Sequence, residues 1–270
     1  REALIVKPPA DGRYPLALLT HGSPRQSAAR RRMSAAQMSF QAEELARRGY
    51  APVVVMRRGY GTSEGDWEES SGRCDSPHHE RAARECARDL RAPLNALAVR
   101  PDIDVARTVV IGQSAGGIGT VALAADPPQG LKAVINFAGG RGSRAPNDIC
   151  GEDRLIAAYA ALGKTARVPS LWIYTENDRY FGPELARRMF AAYRGEGGVG
   201  ELELLPAFAD DGHALVARRG GVLQWRPLLD AFLRKTGLPT WDAPPSVPPV
   251  AHLQAPEALA EQYLDHWQRY

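Results

Sequence analysis

The sequence is poor in the features that would tie it to a metal, a membrane or a nucleic acid. Only three cysteines occur in 270 residues, and Cys74, Cys86 and Cys150 show no C-x-x-C spacing, so a thiolate zinc site is not expected. The adjacent pair His78-His79 does not supply one either. No apolar run reaches the ~18 residues of a membrane-spanning helix. Lysine is scarce, at four of 34 basic residues, which leaves 30 arginines. Those arginines fall in short scattered groups (Arg30-Arg31-Arg32, Arg47-Arg48, Arg57-Arg58, Arg187-Arg188, Arg218-Arg219) without interleaved aromatics, and the net charge is only +3. Both observations argue against a nucleic-acid partner. Internal repeats are missing, as are G-x-x-x-x-G-K-[ST] and G-x-G-x-x-G after a strand. Gly59-x-Gly61-x-x-x-Gly65 therefore reads as a tight loop rather than a phosphate cradle. No cofactor and no metal are expected. An initiator methionine and a leader-like segment are absent too, so either a removed leader or a trimmed start is expected.

What is present describes an ordinary soluble α/β protein: 44% apolar and 24% charged residues. A chain of this length can bury about three quarters of its unfolded surface without staples. Strand-like apolar runs (Leu4–Val6, Tyr14–Thr20, Pro52–Met56, Val109–Ile111, Leu131–Phe137, Ser170–Thr175, Glu201–Leu205) alternate with helical stretches. The helical stretches are Met33–Arg48, Ser76–Ala98, Ile118–Ala125, Asp153–Leu162, Pro183–Tyr193 and Leu223–Lys235. Such alternation predicts one doubly wound, mostly parallel sheet with helices on both faces. We assign residues 1–236 to that domain. Residues 237–270 read as a proline-rich C-terminal extension, with a terminal helix expected over Glu257–Trp267 that would align Leu259, Tyr263 and Trp267.

The chemistry concentrates at Gly112-Gln113-Ser114-Ala115-Gly116. A serine between two glycines at a strand-to-helix turn is a nucleophile elbow, G-x-S-x-G: a tight turn lifts the hydroxyl above the sheet and aims a helix N-terminus beside it. A serine hydroxyl needs a base to take its proton and an acid to orient that base. Asp178, just past a strand, and His213, past the next strand, follow Ser114 in the order Ser, Asp, His. Asp210 and Asp211 are alternative acids, but they stand too close to His213 in sequence to approach its Nδ1 from another strand end. His21 reads as a brace for its loop.

From Tyr14 to Lys235 the chain resembles α/β-hydrolase-superfamily serine hydrolases of the dienelactone-hydrolase and prolyl-oligopeptidase-like branch. The resemblance is carried by His21-Gly22, Arg58-Gly59-Tyr60-Gly61, the elbow, Glu176-Asn177-Asp178 and Gly212-His213. It departs from dienelactone hydrolases proper, whose nucleophile is cysteine. The resemblance implies the α/β-hydrolase fold and cleavage of a carboxylic ester through an acyl-enzyme, with Ser114, His213 and Asp178 as the catalytic set. A peptidase or amidase and a non-catalytic binding protein of the same fold are the alternatives. Backbone N–H groups of Ala115 and Ser23 are expected to form the oxyanion hole, since Pro24 has none to give. Tyr60, Tyr180 and Phe181, with Trp67, are the expected pocket residues, and Arg58 or Arg179 are candidates for a substrate carboxylate.

A small or medium soluble substrate is expected, because the loop Ala138–Gly151 offers glycine and charge where lipases insert an apolar lid; the terminal helix is the candidate substitute lid. Cys74 and Cys150, both in loops leaving carboxyl strand ends, are expected to form a disulfide, with Cys86 reduced in a helix. A disulfide favours a periplasmic or secreted location. Nothing in the sequence speaks to oligomeric state.

Overall fold

The computed structural model describes residues 2–6 and 12–242. Side-chain alternation along the central strands accounts for its two cores. In β2 (Tyr14–Thr20), Leu16 and Leu18 enter one core while Ala17 and Leu19 enter the other. In β8 (Ser170–Thr175), Trp172 and Tyr174 face the first core, Leu171 and Ile173 the second. Strands apolar on both faces belong in a parallel sheet covered on both sides. Five further strands complete it: β1 (Ala3–Ile5), β3 (Ala51–Val55), β4 (Ile103–Gln113), β5 (Leu131–Phe137) and β9 (Gly200–Leu205). Their order is β1-β3-β2-β4-β5-β8-β9. Only β1 runs antiparallel, pairing Ala3 with Val55.

The helices divide between the faces. α1 (Ser39–Ala46) and α6 (Val222–Lys235) cover one core through Phe40, Leu45, Trp225, Leu229 and Phe232. α2 (His79–Leu97), α3 (Ala115–Ala124), α4 (Glu152–Gly163) and α5 (Pro183–Gly195) cover the other. In α2 the buried residues Ala83, Cys86, Ala87, Leu90, Leu94 and Leu97 recur every three or four positions, the stripe an amphipathic helix presents to a sheet.

Three helix starts differ from expectation, and α2 opens at His79 rather than Ser76. The helix expected over Met33–Arg48 is α1 alone, preceded by a 3-10 turn at Ala35–Met38. The cause is legible in Ser34-Ala35-Ala36-Gln37. Ser34 Oγ accepts from Ala36 N at 3.3 Å and Gln37 Oε1 accepts from Ser34 N at 3.4 Å, a capping box that starts the turn there. α3 begins at Ala115, directly after Ser114, rather than at Ile118. The loop after β5 holds a small hairpin, β6 (Ser143–Ala145) with β7 (Asp148–Ile149), and no lid helix.

Topology places the functional edge. The chain leaves β2 to one side for β3, then passes back across β2 to β4, so the loops after β2 and β4 diverge. Ligands of open parallel sheets bind in the crevice such a switch opens at the carboxyl ends. The first residues of the expected extension pack on the body: Leu238 is buried in the core under α1 and α6, and Tyr50 OH donates to Pro239 O at 2.9 Å. Leu259, Tyr263 and Trp267 lie outside the described residues. Among the described residues no helix is long and apolar enough to cross a membrane.

Candidate active site

Ser114 occupies the turn between β4 and α3 with φ 55° and ψ −119°. A non-glycine residue in that region stores roughly 1–3 kcal/mol of strain, held by its surroundings. Here Ser114 N donates to Phe137 O at 2.9 Å, while Ser114 O accepts from Ile118 N at 3.2 Å and Gly140 N at 3.1 Å. The flanking glycines are a packing requirement. A Cβ at Gly112 would run into the Gly116 carbonyl, and one at Gly116 would lie 2.5 Å from His21 O.

His213 sits in a 3-10 turn (Gly212–Ala214) past β9. Its Nδ1–H donates to Asp178 Oδ2 at 3.0 Å, which fixes the tautomer that leaves Nε2 as acceptor. Asp178 leaves the end of β8 with its side chain fully buried. Its Oδ1 accepts from Tyr180 N at 2.7 Å and Phe181 N at 2.9 Å, so the carboxylate is held on both oxygens. The neighbouring acid plays a different part: Asp211 Oδ1 accepts from His213 N and Arg179 N, both at 3.0 Å, and shapes the turn. Gln113 Nε2 donates to His213 O at 3.1 Å, tying the histidine loop to the elbow strand. Tyr180 stacks on the His213 ring, centroids 3.9 Å apart and planes 12° from parallel. Ser114 Oγ has no hydrogen-bond partner among the described residues.

A cavity of about 190 Å³ opens beside Ser114. Ser23, Ala115, Trp67, Tyr180 and Phe181 line it, as do Arg25, Arg30, Glu69 and Arg141. Ala115 is the first residue of α3, so its amide has no intrahelical acceptor. The sequence-based choice of Tyr60 as a lining residue is corrected: Tyr60 is fully buried behind the wall. Its hydroxyl shares a hydrogen bond with Ser23 Oγ at 2.9 Å and accepts from Trp67 Nε1 at 3.1 Å, which turns the phenol away from the cavity. Arg58 is likewise directed elsewhere, donating to Asp89 Oδ1 at 2.6 Å and Glu85 Oε2 at 3.1 Å on α2.

Beneath the cavity lies a charged cluster that sequence reasoning missed. Glu69 Oε1 pairs with Arg57 Nε, and Glu69 Oε2 accepts from Arg141 Nη2 at 2.8 Å and from Tyr60 OH at 3.3 Å. Burial alone would raise the Glu69 carboxyl, but Arg57 and Arg141 outweigh it and hold the group below its usual value. Arg57 Nη1 also donates to Thr20 Oγ1 at 2.6 Å and to His21 O at 2.7 Å, anchoring the loop that carries Ser23. His21 Nε2 accepts from Arg57 N at 3.3 Å, and its Nδ1 lies 2.6 Å from Gly22 O. Burial and the nearby Arg57 hold its pKa well down, so His21 is a neutral brace.

Cys74 and Cys150 are joined in a disulfide, Cα atoms 5.0 Å apart. The bond ties the loop carrying Trp67 and Glu69 to the loop carrying Arg141. His79 Nε2 reaches Cys150 O at 2.8 Å beside it. Cys86 is free and buried in α2.

Strand order, elbow and edge together define an α/β-hydrolase fold. The chain belongs to the X-Pro dipeptidyl-peptidase (S15) family, whose profile matches residues 2–166, and it is a hydrolase by that membership. Solved structures share the fold at low identity. A protein described as a dienelactone hydrolase, from Klebsiella pneumoniae, aligns with a TM-score of 0.60 at 18% identity, over 86% of this chain and 92% of that one. A Mycobacterium tuberculosis puromycin-hydrolyzing peptidase gives 0.60 at 18% identity, over 88% of this chain and 37% of that one. A Thermogutta terrifontis esterase with propionate bound gives 0.56 at 20% identity, over 88% of this chain and 90% of that one. A search of curated proteins found no match.

Proposed function

We propose that this chain is a serine esterase cleaving a small or medium carboxylic ester through an acyl-enzyme. The observation that carries the reading is the 3.0 Å contact of His213 Nδ1 with an Asp178 whose other oxygen is saturated by two amides. An imidazole so held presents Nε2 as a base and gains a fixed counter-charge when it becomes imidazolium. In the proposed reaction Ser114 Oγ attacks the acyl carbon as His213 Nε2 takes its proton. The alkoxide then leaves with that proton. A water deprotonated by His213 next attacks the acyl-Ser114 carbonyl and releases the acid. The Ser114–His213 hydrogen bond closes on substrate binding, since such contacts tighten in the Michaelis complex. N–H groups of Ala115 and Ser23 receive the oxyanion, each contributing roughly a hundredfold or more. None of these steps calls for a metal or cofactor.

The cavity's small volume, its aromatic wall of Trp67, Tyr180 and Phe181, and a hairpin where a lid would lie support a compact substrate. Family membership favours a second reading, a peptidase acting on X-Pro substrates. Rates on p-nitrophenyl acetate, butyrate and octanoate, set beside an aminoacyl-prolyl p-nitroanilide, separate the two. The ester reading expects turnover of the shorter esters and little of the anilide. Faster anilide cleavage, or a rate that climbs with acyl length, overturns it.

A further inference from the structure

The cavity beside Ser114 carries more positive charge than its acids balance. Among the described residues Glu69 is the one carboxylate lining it; it is 1% exposed and faces two guanidiniums, Arg57 and Arg141. That cluster keeps a net positive charge and offers no carboxylate to a ligand amine. Arg25 donates only to neutral oxygens among the described residues: Nε and Nη2 to Ser143 Oγ at 3.2 and 2.7 Å, and Nη2 to Arg179 O at 3.4 Å. Its guanidinium lies over Tyr180, 3.6 Å from the ring centroid. Arg30 lies over Trp67 at 3.9 Å, and among the described residues no carboxylate pairs with it. Stacking fixes a guanidinium plane and shields one face while its edge stays within reach of a ligand; in Arg25 the Nη1–H groups carry no hydrogen bond among the described residues. Two such groups at the wall of a small pocket are a fork for an anion. Asp178, whose Oδ1 accepts from Tyr180 N, is fully buried and already engaged by His213, and Asp211 Oδ1 is taken up by the amides of Arg179 and His213.

We infer that this cavity selects an acyl substrate bearing a second, negatively charged group, a carboxylate in the simplest case, received by Arg25 and Arg30. The inference rests on the ester reading and adds the substrate class to it. Because Tyr180 carries Arg25 on one face and His213 on the other, the bound anion sits one aromatic ring away from the base. That leaves the acyl carbon toward Ser114 and the charged end toward the mouth. The same field disfavours an ammonium group, the end by which a free dipeptide amine would enter.

The test compares three p-nitrophenyl esters of matched length: the glutarate hemiester, the valerate and the 4-aminobutyrate. We expect kcat/KM in the order anionic, neutral, cationic, with a preference for anion over neutral of roughly tenfold or more, the range of one charge-assisted hydrogen bond. Added salt should shrink it, because Arg25 is exposed. In Arg25→Gln and Arg30→Gln the anion-to-neutral ratio should fall about tenfold, mainly through KM, whereas Arg25→Lys should retain part of it. A ratio at or below one in the native protein, or one unchanged in both glutamine variants, overturns the inference. Calorimetric titration with glutarate runs in parallel and needs no turnover. If none of the esters is cleaved yet glutarate binds and binding weakens in Arg25→Gln, the ester reading falls and the anion subsite stands. No glutarate binding to the native protein overturns the subsite itself.

Discussion

Replacing Glu69 by glutamine keeps the side-chain shape and removes one charge from the wall of the cavity. The consequence follows from its partners. Arg57 and Arg141 have side chains 0% and 5% exposed, and this one carboxylate is the anion that both of them face. Glu69 Oε2 alone accepts from Arg141 Nη2 at 2.8 Å, Arg141 Nη1 at 3.1 Å, Arg57 Nη2 at 3.3 Å and Tyr60 OH at 3.3 Å. An amide has one acceptor oxygen, so its NH2 must face a guanidinium. Breaking a buried pair by removing one partner costs about 3–5 kcal/mol. For a domain of this size that is roughly 6–20 °C in Tm. Thermal unfolding by circular dichroism, with urea midpoints as a check, reads the difference. The pH dependence has a fixed sign. Because the folded carboxyl is held below 4.5, its usual value, its stabilisation is complete above that value and is lost as pH falls through the lower folded value. The gap between native and Glu69→Gln should be full at neutral pH and close only in acid. A gap under about 1 kcal/mol at neutral pH, well short of the cost of breaking a buried pair, refutes the reasoning, as does one that widens on acidification.

Other outcomes follow from single contacts. Ser23→Ala should leave kcat nearly intact and cost about 1 kcal/mol of stability, the loss of its hydrogen bond with the Tyr60 hydroxyl, whereas Ser23→Pro should lower kcat about a hundredfold or more; equal kinetic damage from both would assign the role to the side chain. Ser114→Gly should raise stability by about 1 kcal/mol or more while abolishing turnover, because glycine relieves the positive-φ strain; chemical denaturation that finds it less stable than the native protein removes the strain argument. Burial pushes the Cys86 thiol up to about 12, so the folded protein should resist iodoacetamide at pH 8 without reductant, with alkylation there only after unfolding. Peptide mapping that finds rapid native alkylation at Cys86 would contradict its buried placement.

The sheet was legible because its strands announce themselves: Leu131–Phe137 and Ser170–Thr175 are apolar on both faces and lie where the sequence puts them. The elbow, Asp178 and His213 stand out in the sequence because the proposed mechanism demands those residue types at successive strand ends, and the structure brings Asp178 and His213 to 3.0 Å. The cavity wall was not legible. Arg25, Arg30, Glu69 and Arg141 come from irregular loops that meet only in three dimensions, and no periodicity marks such segments. Arg30 stands in the run Arg30-Arg31-Arg32 that composition alone treats as background, and only its seat on Trp67 distinguishes it. Tyr60 shows the reverse error. An aromatic in a loop at the right edge suggested a pocket residue, but hydrogen bonds to Ser23 and Trp67 turn its hydroxyl into the scaffold.

The nucleophile is the claim on which the rest depends, and fluorophosphonate labelling followed by intact-mass and peptide-mass analysis tests it most directly. One adduct per native chain, on the peptide containing Ser114, with ester turnover falling in step with labelling, is the predicted result. Ser114→Ala should take no adduct and lose turnover by several orders of magnitude while melting cooperatively. Stoichiometric labelling of Ser114→Ala, or an adduct that maps to another residue of the native chain, would contradict the account.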